Sequence, residues 1–497
     1  MHLRWDHVKF ALGEMSRARG FQGKRTTFYS LAERYFSSKV HRAQFRPRVN
    51  GKGEIKIEPR VLIDALRRAD EISWVDQYRL NAVVEPSAAP HINLIIPRID
   101  PGVIFGGYLS YFQFARALQR LGFKVRFIVI EELSANIAKL AATCQELFPD
   151  VARLLHSATI LDYTRRKYDP VTVTPDDLFI AYSSATAKFA HNTVQHLNTG
   201  PFIFYVQEEE GHFHASNSYR AFKESIYKLP HLPIYNSSML VDYFRMAQLG
   251  PFDPEARIKR AVSFRHALAT SRLPSEEQLA GRARRKLLFF ARPELHAERN
   301  LFELGLLALR KATANNLFPR EVWDLDAIGT AAFPPLELYG GQHLNFRPRL
   351  GIREYGNVLA DYDIGLSLMY APHPSVPNLE MAAAGVVTVT TTFVNRGAAA
   401  MATMAPNLVA VPPSIEGIYG GLVQARERTY RFRERIENAK FEWPRHWALS
   451  FGVEFRDQLV TALTETFGAP RLARLGLHAP QLAQRRARER LEAPNPA

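Results

Sequence analysis

The chain has 497 residues, 46% of them hydrophobic, with 64 lysines and arginines against 49 aspartates and glutamates; this is the makeup of a globular protein with sizeable cores and about three domain-sized units. Its single cysteine, Cys144, excludes an intrachain disulfide and fits a reducing, cytoplasmic compartment; no apolar run is long enough to cross a bilayer, and the opening "MHLRWDHVKFALGEM" has no signal-peptide core. The net charge of +15 leaves nucleic acid, an anionic membrane face and phosphorylated small molecules open as partners.

Residues 1–90 read as a basic, weakly patterned extension of loosely packed helices, with "RVNGKGEIKIEPR" as a linker or hairpin. At "HINLIIPRI", His91 to Ile99, the character changes to a short buried-strand run. Similar runs follow at "KVRFIVIEE", "DDLFIAYSS", "PFIFYVQEE" and "LPIYNSS", with helix-like stretches between some of them. That alternation predicts a parallel sheet with crossover helices over 91–270. "TSRLPSEEQLAGRARRK" is polar and charged and reads as a linker, 271–285. The pattern restarts with "KLLFFARP", "VWDLDAIG", "HLNFRPRL", "DIGLSLMY", "GVVTVTTTF" and "NLVAVPP", giving a second domain over 286–440. The fold class expected is α/β, two Rossmann-like doubly wound domains facing a cleft, with a helical N-terminal extension.

Ligands of open α/β sheets bind beyond the carboxyl ends of the strands, so those ends hold the candidates. After the strand Ile92–Pro97 come Gly106 and Gly107, then a helix with Tyr108, Tyr111, Phe112, Ala115, Leu118 and Leu121 on one stripe. Paired glycines let backbone approach a ligand, and a helix amino end attracts anions. In "YVQEEEGHF" three glutamates follow a strand, and Glu210 is the one expected to meet sugar hydroxyls; His212 and His214 read as ordinary loop histidines, and no metal site is expected. In "FFARPELHAERNLFELG", Arg292 stands at a strand tip, with Arg299 and Asn300 at a helix entry, where two guanidiniums suit a diphosphate.

The stretch "PHPSVPNLEMAAAG" is the most distinctive. Pro372, Pro374 and Pro377 fix the loop, so the N–H groups of His373, Ser375, Val376, Asn378 and Leu379 are expected to point toward an anion. Asn378 is expected to cap a helix beginning near Leu379, and Glu380, in its first turn, to face the cleft mouth and bind two vicinal hydroxyls.

Together "HPSVPNLEMAAAG", "ARPELHAERN" and the "FGGY" loop resemble retaining glycosyltransferases of the two-Rossmann-domain (GT-B) type. "YVQEEEGHF", "YKLPHLPIYNSSMLVDYF" and "LLFFARP…RNLFELG" resemble, in content and order, the WsaF-like rhamnosyltransferases of bacterial surface-polysaccharide assembly. The resemblance covers about residues 90–468. It implies an acceptor domain at 91–270, a donor domain at 286–440 and a crossover helix at 441–468 with Phe455, Leu459, Ala462 and Leu463 facing inward. It implies a nucleotide-sugar donor as substrate, no cofactor, a glycan or lipid-linked glycan acceptor, and donor-binding and catalytic roles for the residues above. Related enzymes carry two glutamates separated by seven residues; Glu380 fills the second place and Pro372 stands in the first.

The tail 469–497, with Arg485, Arg486, Arg488 and Arg490, is expected to be solvated or to touch an anionic inner membrane face. The basic residues are spread out and no nucleic-acid-binding motif occurs, so nucleic acid is not expected as a partner. A sugar-nucleotide epimerase on the same architecture and a non-catalytic sugar-nucleotide-binding scaffold are the alternative readings. Turnover of donor to an epimer by the protein alone would identify the first.

Overall fold

The structure is a computed structural model that describes residues 59–477 apart from 101–105, 135, 165–168, 270–271 and 349. The chain divides into two compact units, 1–73 and 74–497. Of the extension, residues 1–58 lie outside the described residues, and a helix, Pro59–Gln77, is its one described helix.

The second unit opens with β1 (Ala82–Val84), β2 (Ile92–Ile99), β3 (Val125–Leu133), β4 (Thr159–Asp162), β5 (Val171–Val173), β6 (Leu178–Ala181), β7 (Phe202–Val206), β8 (His231–Asn236) and β9 (Val262–Phe264). Seven of these form a wholly parallel sheet in the order β4-β3-β2-β6-β7-β8-β9, while β1 pairs with β5. The sequence turns from one side of the sheet to the other between β2 and β6, the position where an open sheet offers a crevice. Strands β6, β7 and β8 are buried along their whole length, as a sheet covered by helices on both faces requires. Pro97 lies where the β2–β3 register shifts and beyond the last β2–β6 pair, so its missing N–H breaks no ladder. Because β1 belongs to this fold and Leu80 is fully buried, the domain begins before residue 91, earlier than the sequence suggests.

The second domain contains β10 (Arg285–Phe290), β11 (Trp323–Ile328), β12 (Phe333–Glu337), β13 (His343–Phe346), β14 (Ile364–Leu366), β15 (Val387–Thr391) and β16 (Leu408–Val411). Their order is β12-β13-β11-β10-β14-β15-β16, all parallel except the edge strand β12. The turning point lies between β10 and β14. Two doubly wound domains in series confirm the expected fold class.

The chain returns to the first domain at its end. In the helix Val453–Phe467, Phe455, Leu459, Ala462 and Leu463 are buried, in one cluster with Phe114 and Phe264 of the first domain. A short helix, Ala469–Arg474, continues it: Arg471 donates to the carbonyls of Asp176, Thr199 and Asp177, and Arg474 pairs with the Asp176 carboxylate. The first residues of the basic tail are therefore docked rather than free, and its arginine cluster, Arg485 to Arg490, lies outside the described residues.

The expected linker is also packed. It contains a helical turn, Glu276–Ala280, and Arg282 and Arg285 both reach Asp363, just before β14. Asp363 is fully buried and also accepts from Arg435, at 3.1 Å, and from the Lys286 N–H, at 3.0 Å. Removing one carboxylate would strand three guanidiniums. Asp363→Ala should lower stability by about 3–5 kcal/mol in chemical denaturation, whereas Arg284→Ala, which breaks a more exposed pair with Asp324, should cost under about 1 kcal/mol. Equal effects of the two changes would remove the hub role.

Candidate functional site

The carboxyl ends of β10 and β14 deliver the expected donor-side residues to one place. β10 ends at Phe290 and passes into Arg292 and a 3-10 turn, Leu295–Asn300. β14 ends at Leu366, and the chain runs through Tyr370 to the proline loop. The two are joined directly, since the Tyr370 N–H donates to the Arg299 carbonyl at 2.7 Å.

Arg299 faces the first domain. Its Nη2 and Nε meet the two oxygens of Glu208, both at 2.8 Å, and its guanidinium lies 4.5 Å from the Phe213 ring centre. Arg292 turns to its own loop and bonds Glu294 Oε2 at 2.9 Å and His296 Nε2 at 3.1 Å. Asn300 is buried and donates to the Ala297 carbonyl, so it closes its own turn and offers nothing to a ligand in this arrangement.

The proline loop is as stiff as the sequence predicts, but its N–H groups are engaged differently. The helix begins at Val376, not Leu379, with Pro377 in its first turn. Ser375 stands at the N-cap position with φ 68° and ψ 107°, a strained conformation for a residue with a side chain. Asn378 is therefore no cap. Its amide lies buried beside Thr390 and, turned so that its oxygen accepts, meets Arg396 Nη2 at 3.2 Å while its nitrogen donates to the Ser367 carbonyl. His373 N–H donates to the Ala371 carbonyl, Ser375 N–H to His373 Nδ1, and the N–H groups of Asn378 and Leu379 to the Ser375 carbonyl. Of the five expected anion donors, Val376 alone keeps an N–H without a hydrogen-bond partner among the described residues. The turn geometry decides this: a left-handed Ser375 folds its carbonyl over the helix start.

Glu380 does not sit at an open mouth. It is 8% exposed, and its Oε1 accepts from the Ala269 N–H at 2.9 Å, on the segment that leaves β9 for the second domain. Burial pushes its carboxyl up to about 7, against the smaller lowering effect of the Ala269 hydrogen bond. The buried Tyr355 hydroxyl has no hydrogen-bond partner and feels the Glu380 charge. Beside Glu208 and Arg299 lies His373, whose imidazole burial pulls down to about 4, so it is neutral at pH 7.

On the first-domain wall, Gly106 and Gly107 open the helix Gly106–Arg120, as expected, after a loop outside the described residues. Gly106 has φ +50°, a conformation glycine adopts without strain, and a side chain at Gly107 would crowd the Tyr182 hydroxyl at 2.7 Å. The three glutamates divide their work. Glu208 meets Arg299. Glu209 is buried, accepts from the Gly211 and His212 N–H groups, and is pushed up to about 7 by burial. Glu210, expected to hold sugar hydroxyls, instead accepts from Ser184 N–H at 2.9 Å, Ser184 Oγ at 2.5 Å and Lys223 Nζ at 3.1 Å. It fixes a helix start within the first domain, a structural use that a run of three glutamates does not reveal. His212 bonds the Tyr243 hydroxyl and His214 stacks on Tyr219, in keeping with loop histidines.

Glu208, Phe213, Tyr355 and Arg396 were not singled out from sequence. Arg396 carries the clearest signal, an arginine shortly after the strand "VTVTT", the same placement that marks Arg292.

Comparison with known proteins gives two matches to one family: "WsaF, N-terminal domain" over residues 91–238 and "WsaF, C-terminal domain" over 285–423. O-antigen biosynthesis protein RfbC of Myxococcus xanthus is 27% identical over 292 residues, which span 58% of this chain and 21% of that protein, so the chain corresponds to about a fifth of that relative. Among solved structures, sucrose-phosphate synthase of Thermosynechococcus elongatus (13% identity, TM-score 0.49) and Anabaena Alr3699/HepE in complex with UDP and glucose (14%, TM-score 0.49) each align over 76% of this chain and all of theirs. WaaG, a glycosyltransferase involved in lipopolysaccharide biosynthesis, aligns over the same share at 12% identity and TM-score 0.46. The two family domains, in order and one on each doubly wound domain, together cover more than half of the chain, which belongs to the WsaF family, the glycosyltransferase family its motifs resemble.

Proposed function

We propose that the protein is a glycosyltransferase of surface-polysaccharide synthesis, moving a sugar from a nucleotide-diphosphate donor to a glycan or lipid-linked glycan acceptor with retention of configuration. The sugar class that the family resemblance supports is rhamnose. The observation that carries the reading is the convergence, at the carboxyl ends of β10 and β14, of Arg292, Arg299 and the free Val376 N–H, with Glu380 one turn further along the same helix.

Transfer from such a donor develops negative charge on the leaving diphosphate. Two guanidiniums and a helix amino end stabilise that charge in place, and they gain more as it grows. Donor binding requires Arg299 to exchange Glu208 for phosphate oxygens and Arg292 to turn from Glu294. Glu380, with one oxygen held by Ala269, has a second oxygen for ribose hydroxyls, and the unpartnered Tyr355 hydroxyl stands near it. The glycines Gly106 and Gly107 keep the backbone of the first-domain wall bare for the donor. Attachment to an anionic membrane face would fall to the tail beyond the described residues.

A thermal-shift screen with UDP, dTDP, GDP and their sugars tests the donor reading first: at least one should raise the melting temperature, and no shift with any would overturn it. Arg292→Ala and Arg299→Ala should each weaken the bound diphosphate by about 2 kcal/mol in calorimetry, the scale of a charge-assisted hydrogen bond, without loss of fold.

Glu380→Gln separates ribose binding from a packing role. A ribose ligand loses about 1–3 kcal/mol of nucleoside diphosphate affinity, and the 2′-deoxyribose counterpart is hurt less. The same variant reports the buried carboxyl. Its folded pKa, near 7, lies above the ordinary 4.5, so its stabilisation is complete below about 4.5 and is lost as pH rises through 7. Glu380→Gln should therefore gain on the wild type between pH 5 and 8, by at most about 3 kcal/mol. Parallel stability profiles would show that the carboxyl is not held protonated.

A further inference from the structure

Four arginines are buried among the described residues: Arg126, Arg285, Arg396 and Arg435. Three of them meet a carboxylate, Arg126 at Asp177 and Arg285 and Arg435 at Asp363. Arg396 meets none. It is 0% exposed, and its Nη1 donates to the carbonyls of Met369 at 2.8 Å and Thr391 at 2.6 Å. Its Nη2 lies 3.2 Å from Thr390 Oγ1 and 3.2 Å from the Asn378 amide oxygen, and its Nε has no partner. Burial alone lowers its pKa, to about 9, with no acidic group acting to raise it. The titratable group that faces it is His373, which burial keeps neutral.

A buried charge with no counter-charge costs several kcal/mol, about the scale that decides whether a domain folds. Carbonyl dipoles offset part of that cost. The location of the remainder is informative. Asn378 lies in the first turn of the helix Val376–Ala383, so the guanidinium stands beneath the same helix end that keeps the Val376 N–H free and carries the strained Ser375. Helix dipole and buried charge add their potentials at one spot, and Arg299 approaches it from the other strand end through the Tyr370 hydrogen bond.

We propose that Arg396 is a positioning residue whose buried charge is the missing counter-charge of the donor's diphosphate, held at the amino end of the helix Val376–Ala383. It acts through Asn378 and the Met369 and Thr391 carbonyls, which set the loop, and it attracts the anion without touching it. This rests on the donor reading above and assigns that site's charge balance to a residue outside its visible contacts.

The test uses two variants of the full chain and two pairs of probes, UDP with uridine and dTDP with thymidine. Arg396→Gln keeps an amide donor for the carbonyls and removes the charge; Arg396→Lys, measured at pH 6 because burial brings a lysine's pKa down toward neutrality, keeps the charge and loses the fork. If the charge is what matters, Arg396→Gln weakens the diphosphate by about tenfold or more while nucleoside affinity stays within about twofold, and Arg396→Lys keeps the wild-type ratio of diphosphate to nucleoside affinity within about threefold. Should Arg396→Gln fail to fold, that ratio in Arg396→Lys decides alone. Diphosphate and nucleoside falling together, or a lysine variant as impaired as the glutamine one, overturns the proposal in favour of a purely structural arginine. A wild type that binds neither UDP nor dTDP overturns the donor reading itself, which separates the two failures.

Discussion

A single carboxylate out of reach of water ties three segments of the second domain to one point. Asp363 sits immediately before β14 and gathers Arg282 and Arg285 from the segment entering the domain and Arg435 from the segment leaving it. Entry, centre and exit are tied at the amino ends of the strands. The candidate binding groups, Arg299, the proline loop and Glu380, follow the opposite, carboxyl ends. Such a division keeps the Asp363 cluster, which fixes the amino ends of the strands, apart from the candidate groups at the carboxyl ends. Buried ion clusters set geometry more than they add net stability, and here the geometry set is the point at which β14 releases its loop.

The fold was legible because buried parallel strands read as short apolar runs. All eleven runs singled out in the sequence are strands of the two sheets: β2, β3, β6, β7 and β8 in the first, and β10, β11, β13, β14, β15 and β16 in the second. The strands that escaped share physical reasons. β1 and β5 form a separate two-stranded pair and β4 and β9 are edge strands, each only partly buried and so without a continuous apolar run, and β12, "FPPLE", carries two prolines that only an edge strand tolerates. The returning helix was visible from its stripe, Phe455 to Leu463, since a stripe needs a surface to cover even when that surface is far off in sequence.

The site was legible in position and not in partnership. Looking beyond strand ends found Arg292, Arg299 and the loop at 372–380. It could not find that Glu208, 91 residues from Arg299, occupies that guanidinium, or that Ala269, 111 residues from Glu380, takes one of its oxygens. Such pairings depend on the register of two separate domains. The direction of the loop N–H groups depended on one dihedral angle, at Ser375, that three flanking prolines constrain but do not specify. The acidic run failed differently, since three identical residues take three unrelated jobs once a turn separates their side chains.

The two-point contact of Glu208 on Arg299 has a consequence for selection among anions. A carboxylate and a phosphate present similarly spaced oxygens to a guanidinium, so Arg299 already has a counter-charge, held by one hydrogen bond and one ion-pair contact, when a ligand arrives. Entry is then an exchange, and a lone phosphate gains little by replacing one two-oxygen partner with another. A ligand carrying two linked phosphates can hold the helix end with one while it displaces the glutamate with the other. On the donor reading proposed above, the resting contact would act as a toll on small, abundant anions and would lift for a molecule long enough to reach both places.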